Sequence, residues 1–258
     1  MKKILVTGGS GFIGTHFIRL VEKNYDITNY DLEEGYDIRG AMPYNVFDYV
    51  VHFGALKSVP ASEENPHNFI DTNCWGTTNV AERNKNARFI NISSSAVNDV
   101  KSVYGATKQF AESVVSRLKN SLNIRLYNVF GEGQSLRYGG VLSKFINSKL
   151  TGEAPVIYGD GNQTRDFTYV ADVVESILDV MTSTRTGLVH FGYGNGMSVK
   201  RLLQEVYGYG VPQYIQKQAR DYEIENSCSP EVMPVIKHGR EEGIKRTIKH
   251  YESIRNRV

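Results

Sequence analysis

An α/β fold with a doubly wound parallel sheet is predicted by three observations. Apolar strand patterns alternate with amphipathic helix patterns along much of the chain, which is typical of a parallel sheet covered by helices. A glycine-rich turn joins the first strand pattern to the first helix pattern. The chain has 258 residues, 40% of them hydrophobic, which is enough for one large buried core.

Each element follows from its own pattern. Strands are predicted from Lys3 to the first glycines and over residues 26–30, 47–55, 87–92, 123–129 and 187–191. Helices are predicted over residues 66–83, 104–119 and 170–181. In the helix from Tyr104, apolar residues recur at four-residue spacing and predict an inward face made of Ala106, Phe110, Ala111, Val114, Val115 and Leu118.

The second half of the chain departs from this repeating unit. Residues 131–165, with a strand at 155–158, and residues from Gly194 onward carry more tyrosine and charge. We therefore expect a Rossmann-like domain of residues 1–130 plus about 166–192. A smaller, discontinuous C-terminal substrate lobe would consist of about 131–165 plus 193–258.

Charge and cysteine content argue for a cytoplasmic enzyme without a metal site. The formal net charge is only +2, and glutamates interrupt the basic stretch 237–258, which predicts a solvated helix and no nucleic-acid partner. The apolar run behind Lys2 and Lys3 is four residues long, so neither a signal peptide nor a membrane contact is expected. Cys74 and Cys228 are too few for a disulfide framework and lack metal-ligand spacing.

Gly8, Gly11 and Gly14 predict a dinucleotide site. Glycine lets the backbone approach a pyrophosphate closely, and the helix beyond offers free N–H groups. A P-loop would need Gly-Lys-Ser/Thr, whereas Thr15 and His16 follow Gly14. Asp31 ends the second strand at the distance typical of a ribose ligand; its charge favours NAD over NADP, although Arg39 lies nearby.

Tyr104 and Lys108 are the candidate proton-transfer pair. Residues four apart share one helix face, and a lysine charge beside a phenol is expected to lower the phenol pKa. Tyr-x-x-x-Lys alone also occurs on ordinary surface helices, so its context decides. The run Ser93–Ser95, which ends nine residues before Tyr104, supplies hydroxyl groups for the same site.

Seven segments together resemble the extended short-chain dehydrogenase/reductases, and within them the nucleotide-sugar epimerases and dehydratases. In order, they are Thr7–Gly14, Asp37–Arg39, His52–Val59, Ser93–Ser95, Tyr104 with Lys108, Arg125–Gly131 and Arg165–Val170. The resemblance covers nearly the whole chain, and the form of His52–Val59 is most similar to that of UDP-glucose (UDP-galactose) 4-epimerases.

The resemblance implies NAD as cofactor and a role for each matching residue. Cofactor contacts are implied for Gly8, Gly11, Phe12, Ile13, Gly14, Asp31, Asp37, Ile38, Phe53, Gly54, Ala55, Lys57, Asn73, Tyr104, Lys108 and Tyr127. Substrate contacts are implied for Lys57, Ser95, Tyr104, Asn128, Arg165, Arg220 and Glu223. Structural alternatives stay open: Asp37 and Asn73 as caps, Asn128 as a loop residue, and Arg165 with Asp166 as a surface ion pair.

The same resemblance implies catalysis by Ser95, Tyr104 and Lys108. Tyr104 would take the proton of a sugar hydroxyl while NAD accepts hydride from the same carbon, and Ser95 would steady the oxygen. Similar dehydratases and decarboxylases carry acidic residues directly after this serine or threonine, whereas Ala96 and Val97 follow Ser95. We therefore expect epimerisation of a nucleotide-diphosphate sugar at C4, with UDP-glucose/UDP-galactose as the first choice.

Three alternatives remain: a 4-keto-sugar reductase, a nucleotide-sugar dehydratase, and a non-catalytic nucleotide-sensing regulator on the same fold. The chain is shorter than typical members between Asp31 and Asp37, between Ser95 and Tyr104, and in the C-terminal lobe. Members commonly dimerise through helices that match 66–83 and 104–119, so the resemblance implies a homodimer; amphipathic helices would look the same in a monomer, and that alternative stays open.

Overall fold

A computed structural model describes residues 1–42, 46–137, 139–208, 210–211, 213–218 and 227–255. The strands are β1 (Lys3–Thr7), β2 (Asp26–Tyr30), β3 (Tyr49–His52), β4 (Arg88–Ser94), β5 (Ser121–Leu126), β6 (Val129–Phe130), β7 (Val156–Tyr158), β8 (Thr164–Arg165), β9 (Thr168–Tyr169), β10 (Gly187–Phe191), β11 (Met197–Ser198) and β12 (Ile215–Lys217). The α-helices are α1 (Phe12–Val21), α2 (Val59–Glu64), α3 (Pro66–Phe69), α4 (Thr77–Arg83), α5 (Val103–Val115), α6 (Val141–Thr151), α7 (Val170–Thr182), α8 (Val199–Tyr207) and α9 (Arg240–Arg255).

A six-stranded sheet with the order β10-β5-β4-β3-β1-β2 confirms the predicted α/β fold. The pairs β1–β2, β1–β3, β3–β4 and β4–β5 are parallel. The chain leaves β1 toward one edge of the sheet for β2 and returns to the other side of β1 for β3. Open α/β sheets bind ligands at the carboxyl ends of the strands where the order reverses in this way.

The chain divides into two compact units. The first comprises Met1–Leu126 and Val174–His190, and the second Tyr127–Val173 and Phe191–Val258. The boundaries drawn from the sequence placed residues 166–173 with the sheet. They group with the second unit, where β9 pairs in parallel with β6.

Helical structure over residues 66–83 is interrupted by a π-helical turn. The turn, Ile70–Gly76, lies between α3 and α4 and contains the buried Asn73. Such turns are rare inside helices and frequently mark functional sites. One of the predicted cofactor residues is thus presented from a widened turn.

The inward face of α5 differs from the prediction. Ala106 and Phe110 are exposed, and Phe110 keeps 47% of its surface accessible. The buried residues are Gly105, Thr107, Lys108, Ala111, Glu112 and Val115. The helix is rotated from the purely apolar stripe because Lys108 and Glu112 find hydrogen-bond partners on its buried side. A buried charge is tolerated only when it is paired in this way.

His52 ties the end of β3 to its neighbours. Its Nδ1 lies 2.6 Å from Thr7 Oγ1 of β1, and its Nε2 lies 2.9 Å from Thr77 Oγ1 of α4. Burial, followed by the charge of Lys108, lowers the His52 pKa to about 3. The imidazole is therefore neutral at physiological pH and joins strand and helix by hydrogen bonds alone.

In the second unit, α9 has a buried face and is not the solvated helix expected from residues 237–258. Arg240, Gly243, Ile244, Thr247 and Tyr251 are buried on it. Arg240 Nη2 donates to Asp166 Oδ1 at 2.9 Å, and the Asp166 side chain is fully inaccessible. Arg240, at the start of this helix, is therefore part of an internal ion pair.

Candidate active site

Two glycine-containing loops meet at the carboxyl ends of β1 and β3. Gly8 has φ +69°, and a Cβ on it would lie 2.6 Å from the Gly54 backbone nitrogen. A Cβ on Gly14 would lie 2.7 Å from Gly9 Cα and 2.9 Å from Gly9 O. Only residues without a side chain allow backbone segments to approach so closely. The loops thus form a cradle at the reversal of strand order.

The N-terminus of α1 supplies donors to this cradle. Gly11 is the N-cap, no side chain caps it among the described residues, and the first turn contains no acidic residue. The leading N–H groups of a helix have no partner within it, and together with the helix dipole they favour an anion. Phe12 and Ile13 contribute such groups, as the predicted pyrophosphate role requires.

Acidic side chains lie beyond the cradle, at the end of β2. Asp31 accepts hydrogen bonds from the backbone N–H groups of Ser10 at 3.1 Å and Glu33 at 3.0 Å. Asp31 therefore connects the glycine loop to the segment after β2. Its carboxylate is oriented by backbone donors of both segments.

Asp37 and Arg39 form a local ion pair near the exposed side of this segment. The Arg39 guanidinium donates to both Asp37 oxygens at 2.6–3.0 Å, and the Arg39 N–H donates to Asp37 at 2.9 Å. The side-chain bond to Arg39 is the main reason that the Asp37 pKa is lowered. The contact with the Arg39 N–H supports the alternative in which Asp37 caps a turn. Ile38 is buried, and a Cβ on Gly76 would lie 2.7 Å from its side chain.

Asn73 holds the loop that follows β3. Its Oδ1 accepts from Leu56 N at 2.8 Å, and its Nδ2 donates to Leu56 O at 3.0 Å and Thr107 Oγ1 at 3.0 Å. Thr107 in turn donates to the Tyr104 carbonyl at 2.8 Å. The fully buried Asn73 therefore links residues 53–57 to the first turn of α5. Within that loop Phe53 and Ala55 are half-buried, Gly54 is buried and Lys57 is exposed.

Tyr104 is partly buried in the first turn of α5, and the hydroxyl in hydrogen-bonding contact with its phenol belongs to Ser94. The resemblance implied that Ser95 supplies the serine hydroxyl of the site, which would hold the sugar oxygen. Ser94 is the last residue of β4, whereas Ser95 already belongs to the 3₁₀ turn Ser95–Val97. The chain thus leaves the extended strand conformation after Ser94, and the two serines belong to different backbone elements.

Lys108 is buried one turn after Tyr104. Its Nζ donates to the Ile92 carbonyl of β4 at 2.6 Å. Burial lowers the Lys108 pKa to about 8, and the Glu112 carboxylate opposes that shift.

The expected lowering of the Tyr104 pKa by Lys108 is wrong for this structure. Burial raises the pKa of the Tyr104 phenol, and the hydrogen bond with Ser94 opposes the rise. The ammonium group of Lys108 is directed to the Ile92 carbonyl, so desolvation dominates the balance at the phenol. Without a further positive charge, Tyr104 is protonated at neutral pH.

Two residues that were not predicted as part of the site fix the N-terminus of α5. Val103 N donates to Glu63 Oε1 at 2.8 Å, and Tyr104 N donates to Ser62 Oγ at 3.1 Å. Both acceptors belong to α2, which follows Ser58, a non-glycine residue with φ 107°. A serine and a glutamate inside a short apolar-poor helix give no signal of such a distant capping role.

The remaining predicted residues lie in the second unit or outside the described residues. Tyr127 is fully buried, and Asn128 is exposed with φ 23°. Arg165 belongs to β8, and its Nη1 donates to Thr164 O at 3.0 Å. The Asp166 carboxylate is buried and pairs with Arg240. The alternative of a surface ion pair between Arg165 and Asp166 therefore does not apply to this carboxylate. Arg220 and Glu223 lie outside the described residues.

The geometry has counterparts among known proteins. The model of the NAD dependent epimerase/dehydratase family matches residues 4–191. The chain belongs to this family. It is therefore an enzyme of an NAD-dependent family that acts on nucleotide sugars, as the resemblance implied.

Relatives differ in the reaction named for them. A Methanocaldococcus jannaschii protein with the provisional name UDP-glucose 4-epimerase is 31% identical over 77% of this chain and 79% of its own. A UDP-N-acetyl-alpha-D-glucosaminuronate decarboxylase of Bacillus cytotoxicus is 28% identical over 80% and 79%. The solved UDP-N-acetylglucosamine 4-epimerase of Methanobrevibacter ruminantium superposes with a TM-score of 0.88, at 27% identity over 98% of this chain and 99% of that one.

The first unit fits NAD. The cradle has no room for a Cβ at Gly8 or Gly14, and an uncapped helix N-terminus faces the same turn.

Within the described ranges, no helix is long and apolar enough to cross a membrane. The same ranges contain no group of three or more His, Cys, Asp or Glu residues arranged to hold a metal ion.

Gly14→Ala is expected to weaken NAD binding. The added methyl group would press on the backbone at Gly8 and Gly9, and overpacking of this kind costs about 1–3 kcal/mol, or roughly 5- to 150-fold in affinity. Calorimetric titration of the NAD-free protein measures the change. Gly140→Ala is the matched control, because a Cβ there meets nothing within 4 Å. Unchanged affinity in Gly14→Ala would place the pyrophosphate elsewhere.

Proposed function

We propose that the protein interconverts C4 epimers of a nucleotide-diphosphate sugar through a transient 4-keto sugar, with UDP-glucose and UDP-galactose as the first candidates. The observation that carries the proposal is the composition of the turn beside the reactive phenol. Ser94 contacts Tyr104, and Ser95, Ala96 and Val97 follow it without an acidic side chain. Serine can steady a sugar oxygen, but alanine and valine cannot transfer protons.

This turn disfavours dehydration and decarboxylation. The resembling enzymes that catalyse those reactions carry an acid within the two positions after their serine or threonine. Here those positions hold no acid, whether Ser94 or Ser95 takes the serine role. The Glu112 carboxylate on α5 is already bound by Ser93 and Arg125. Epimerisation needs no additional acid, because the keto sugar only has to be reduced from its other face.

Tyr104 exchanges the proton of the sugar hydroxyl. Its phenol lies beside the Ser94 hydroxyl, which would hold the same sugar oxygen by a hydrogen bond. NAD, when bound, supplies the reversible oxidation at the sugar carbon and a positive charge that favours the tyrosinate form. Lys108, with its pKa of about 8, stays largely protonated at neutral pH and adds to that positive field.

The remaining substrate contacts are assigned to charged and polar side chains. Lys57 is exposed in the loop held by Asn73, and Asn128 is exposed in the second unit. Arg165 is assigned to the diphosphate, because guanidinium groups bind phosphate oxygens through paired hydrogen bonds. Arg220 and Glu223 are assigned to the nucleotide on the resemblance alone.

Purified protein is expected to convert UDP-galactose to UDP-glucose without added cofactor, and Tyr104→Phe is expected to lower kcat by about 10²- to 10⁴-fold. Chromatographic separation of the two sugars measures turnover, and the absorbance of released nucleotide measures retained NAD. Tyr158→Phe, in the second unit, is the matched control. No conversion of any of several nucleotide sugars would sink the epimerase proposal, and activity only with continuously added NADH would indicate a keto-sugar reductase.

Ser94→Ala is expected to reduce kcat by roughly 10- to 1,000-fold, with a much smaller effect for Ser95→Ala, because the Tyr104 phenol has its hydrogen bond with Ser94. Both variants remove one hydroxyl, and Ser94→Ala also removes the acceptor of the Ala96 N–H, so unfolding temperatures are compared alongside the rates. Steady-state rates with the accepted sugar measure the difference. The reverse order of effects would return the role to Ser95.

We also propose a homodimer. Ile70 and Trp75 in the π-helical turn and Phe110 on α5 are exposed by 47–57%, and the turn packs against this helix. Exposed large apolar groups on neighbouring helices are typical of protein interfaces. Sedimentation equilibrium should give twice the 29.0 kDa chain mass, and Phe110→Lys should shift the protein toward that single-chain mass. A wild-type protein that stays monomeric at micromolar concentration would contradict the proposal.

A cytoplasmic location is a further proposal. Cys74 and Cys228 are both free thiols. Thiols of this kind are typical of reducing compartments.

A further inference from the structure

Three side chains of α5 are held by three consecutive residues of β4. Tyr104, Lys108 and Glu112 follow one another at four-residue spacing along one helix face. Tyr104 contacts the Ser94 hydroxyl, Lys108 donates to the Ile92 carbonyl, and Glu112 accepts from the Ser93 hydroxyl. These three contacts attach α5 to the end of β4.

Glu112 makes the most extensive contacts of the three. Its Oε1 accepts from Ser93 Oγ at 2.5 Å and from Arg125 Nε at 2.8 Å, and its Oε2 accepts from Arg125 Nη2 at 2.7 Å. The residue is 8% exposed. Paired guanidinium–carboxylate contacts fix orientation as well as distance.

The same network reaches the turn after Ser94. Arg125 Nη1 donates to Asn98 Oδ1 at 2.9 Å. Asn98 is the C-cap of the 3₁₀ turn Ser95–Val97. At the start of this turn, the Ala96 N–H donates to Ser94 Oγ at 3.2 Å. Through Arg125, Glu112 therefore connects α5, β5 and the turn that follows Ser94.

We propose that Glu112 is the positioning residue of this site, which keeps Lys108 charged and holds Ser94 and Tyr104 in register. It touches neither the cofactor cradle nor the phenol and acts through Lys108, Ser93 and Arg125. The activity part of this inference rests on the proposed function. The part that concerns Lys108 is independent of any substrate.

The charges around Lys108 support this role. On its own helix Lys108 has Tyr104 and Glu112 as neighbours, and burial raises the pKa of the Tyr104 phenol, so it is uncharged at neutral pH. From β3, His52 is neutral because its pKa is about 3, and from β5, Arg125 is bound to Glu112. Glu112 is thus the anion that opposes desolvation of Lys108, whose pKa is about 8.

The test is Glu112→Gln, which keeps an acceptor for Ser93 but removes the charge. With ¹³C-labelled lysine, NMR titration of the NAD-bound protein should show the Lys108 pKa lowered by about 1. The pH at which kcat falls on the alkaline side should move down by a similar amount, with KM little changed. Glu82→Gln, an exposed glutamate on α4, is the matched control and should change neither quantity.

A double variant, Glu112→Gln with Arg125→Gln, separates positioning from stability. It removes the uncompensated arginine charge left by the single variant, so its unfolding temperature should recover, and it replaces the single variant if that one does not fold. We expect the Lys108 titration to stay at lower pH in the double variant. A wild-type Lys108 pKa in both variants, or full recovery of kcat and its pH profile in the double variant, would overturn the proposal.

These outcomes are distinct from failure of the proposed function. If no nucleotide sugar is converted by the wild type, the NMR titration still decides whether Glu112 holds the charge of Lys108. If the wild type is an epimerase but the titration does not move, only the role of Glu112 falls.

Discussion

The polar contact between α5 and the end of β4 is the constraint on which the catalytic side of the site depends. Lys108 and Glu112 are buried, and unpaired buried charges would cost far more than any packing gained. A single rotational orientation of α5 brings both side chains within hydrogen-bond distance of their partners, Ile92, Ser93 and Arg125. That rotation also sets Tyr104 beside Ser94 and leaves Phe110 at the surface.

The cofactor side depends on backbone proximity instead. The backbones of Gly8 and Gly54 lie so close together that a Cβ on Gly8 would overlap Gly54. The backbones of Gly9 and Gly14 leave equally little room for a Cβ on Gly14. These contacts are made at the point where strand order reverses, so the sheet topology itself positions the cradle. Asn73 then joins this cradle side to the first turn of α5 through Leu56 and Thr107.

In the second unit, two buried carboxylates organise loops. Asp166 accepts from Tyr193 N, Gly194 N and Arg240, while Asp172 accepts from the backbone N–H groups of residues 237–239 and from the Tyr193 hydroxyl. Asp166, which lies within the segment Arg165–Val170, thus has an internal structural role. Arg165 and Asp166 are neighbours in sequence, yet only Asp166 is fully inaccessible.

The sequence by itself determined the parallel α/β sheet, the glycine cradle and the NAD-dependent family, because these follow from strand–helix alternation and from residues that lack side chains. It also identified Tyr104 and Lys108 as a pair, since helical spacing alone puts them on one face. Only the tertiary structure decided which of two adjacent serines meets Tyr104, because Ser94 ends a strand and Ser95 begins a turn. Likewise, the inward face of α5 and the roles of Glu63 and Glu112 depend on partners 13 to 40 residues away in the chain, and no local pattern encodes those distances.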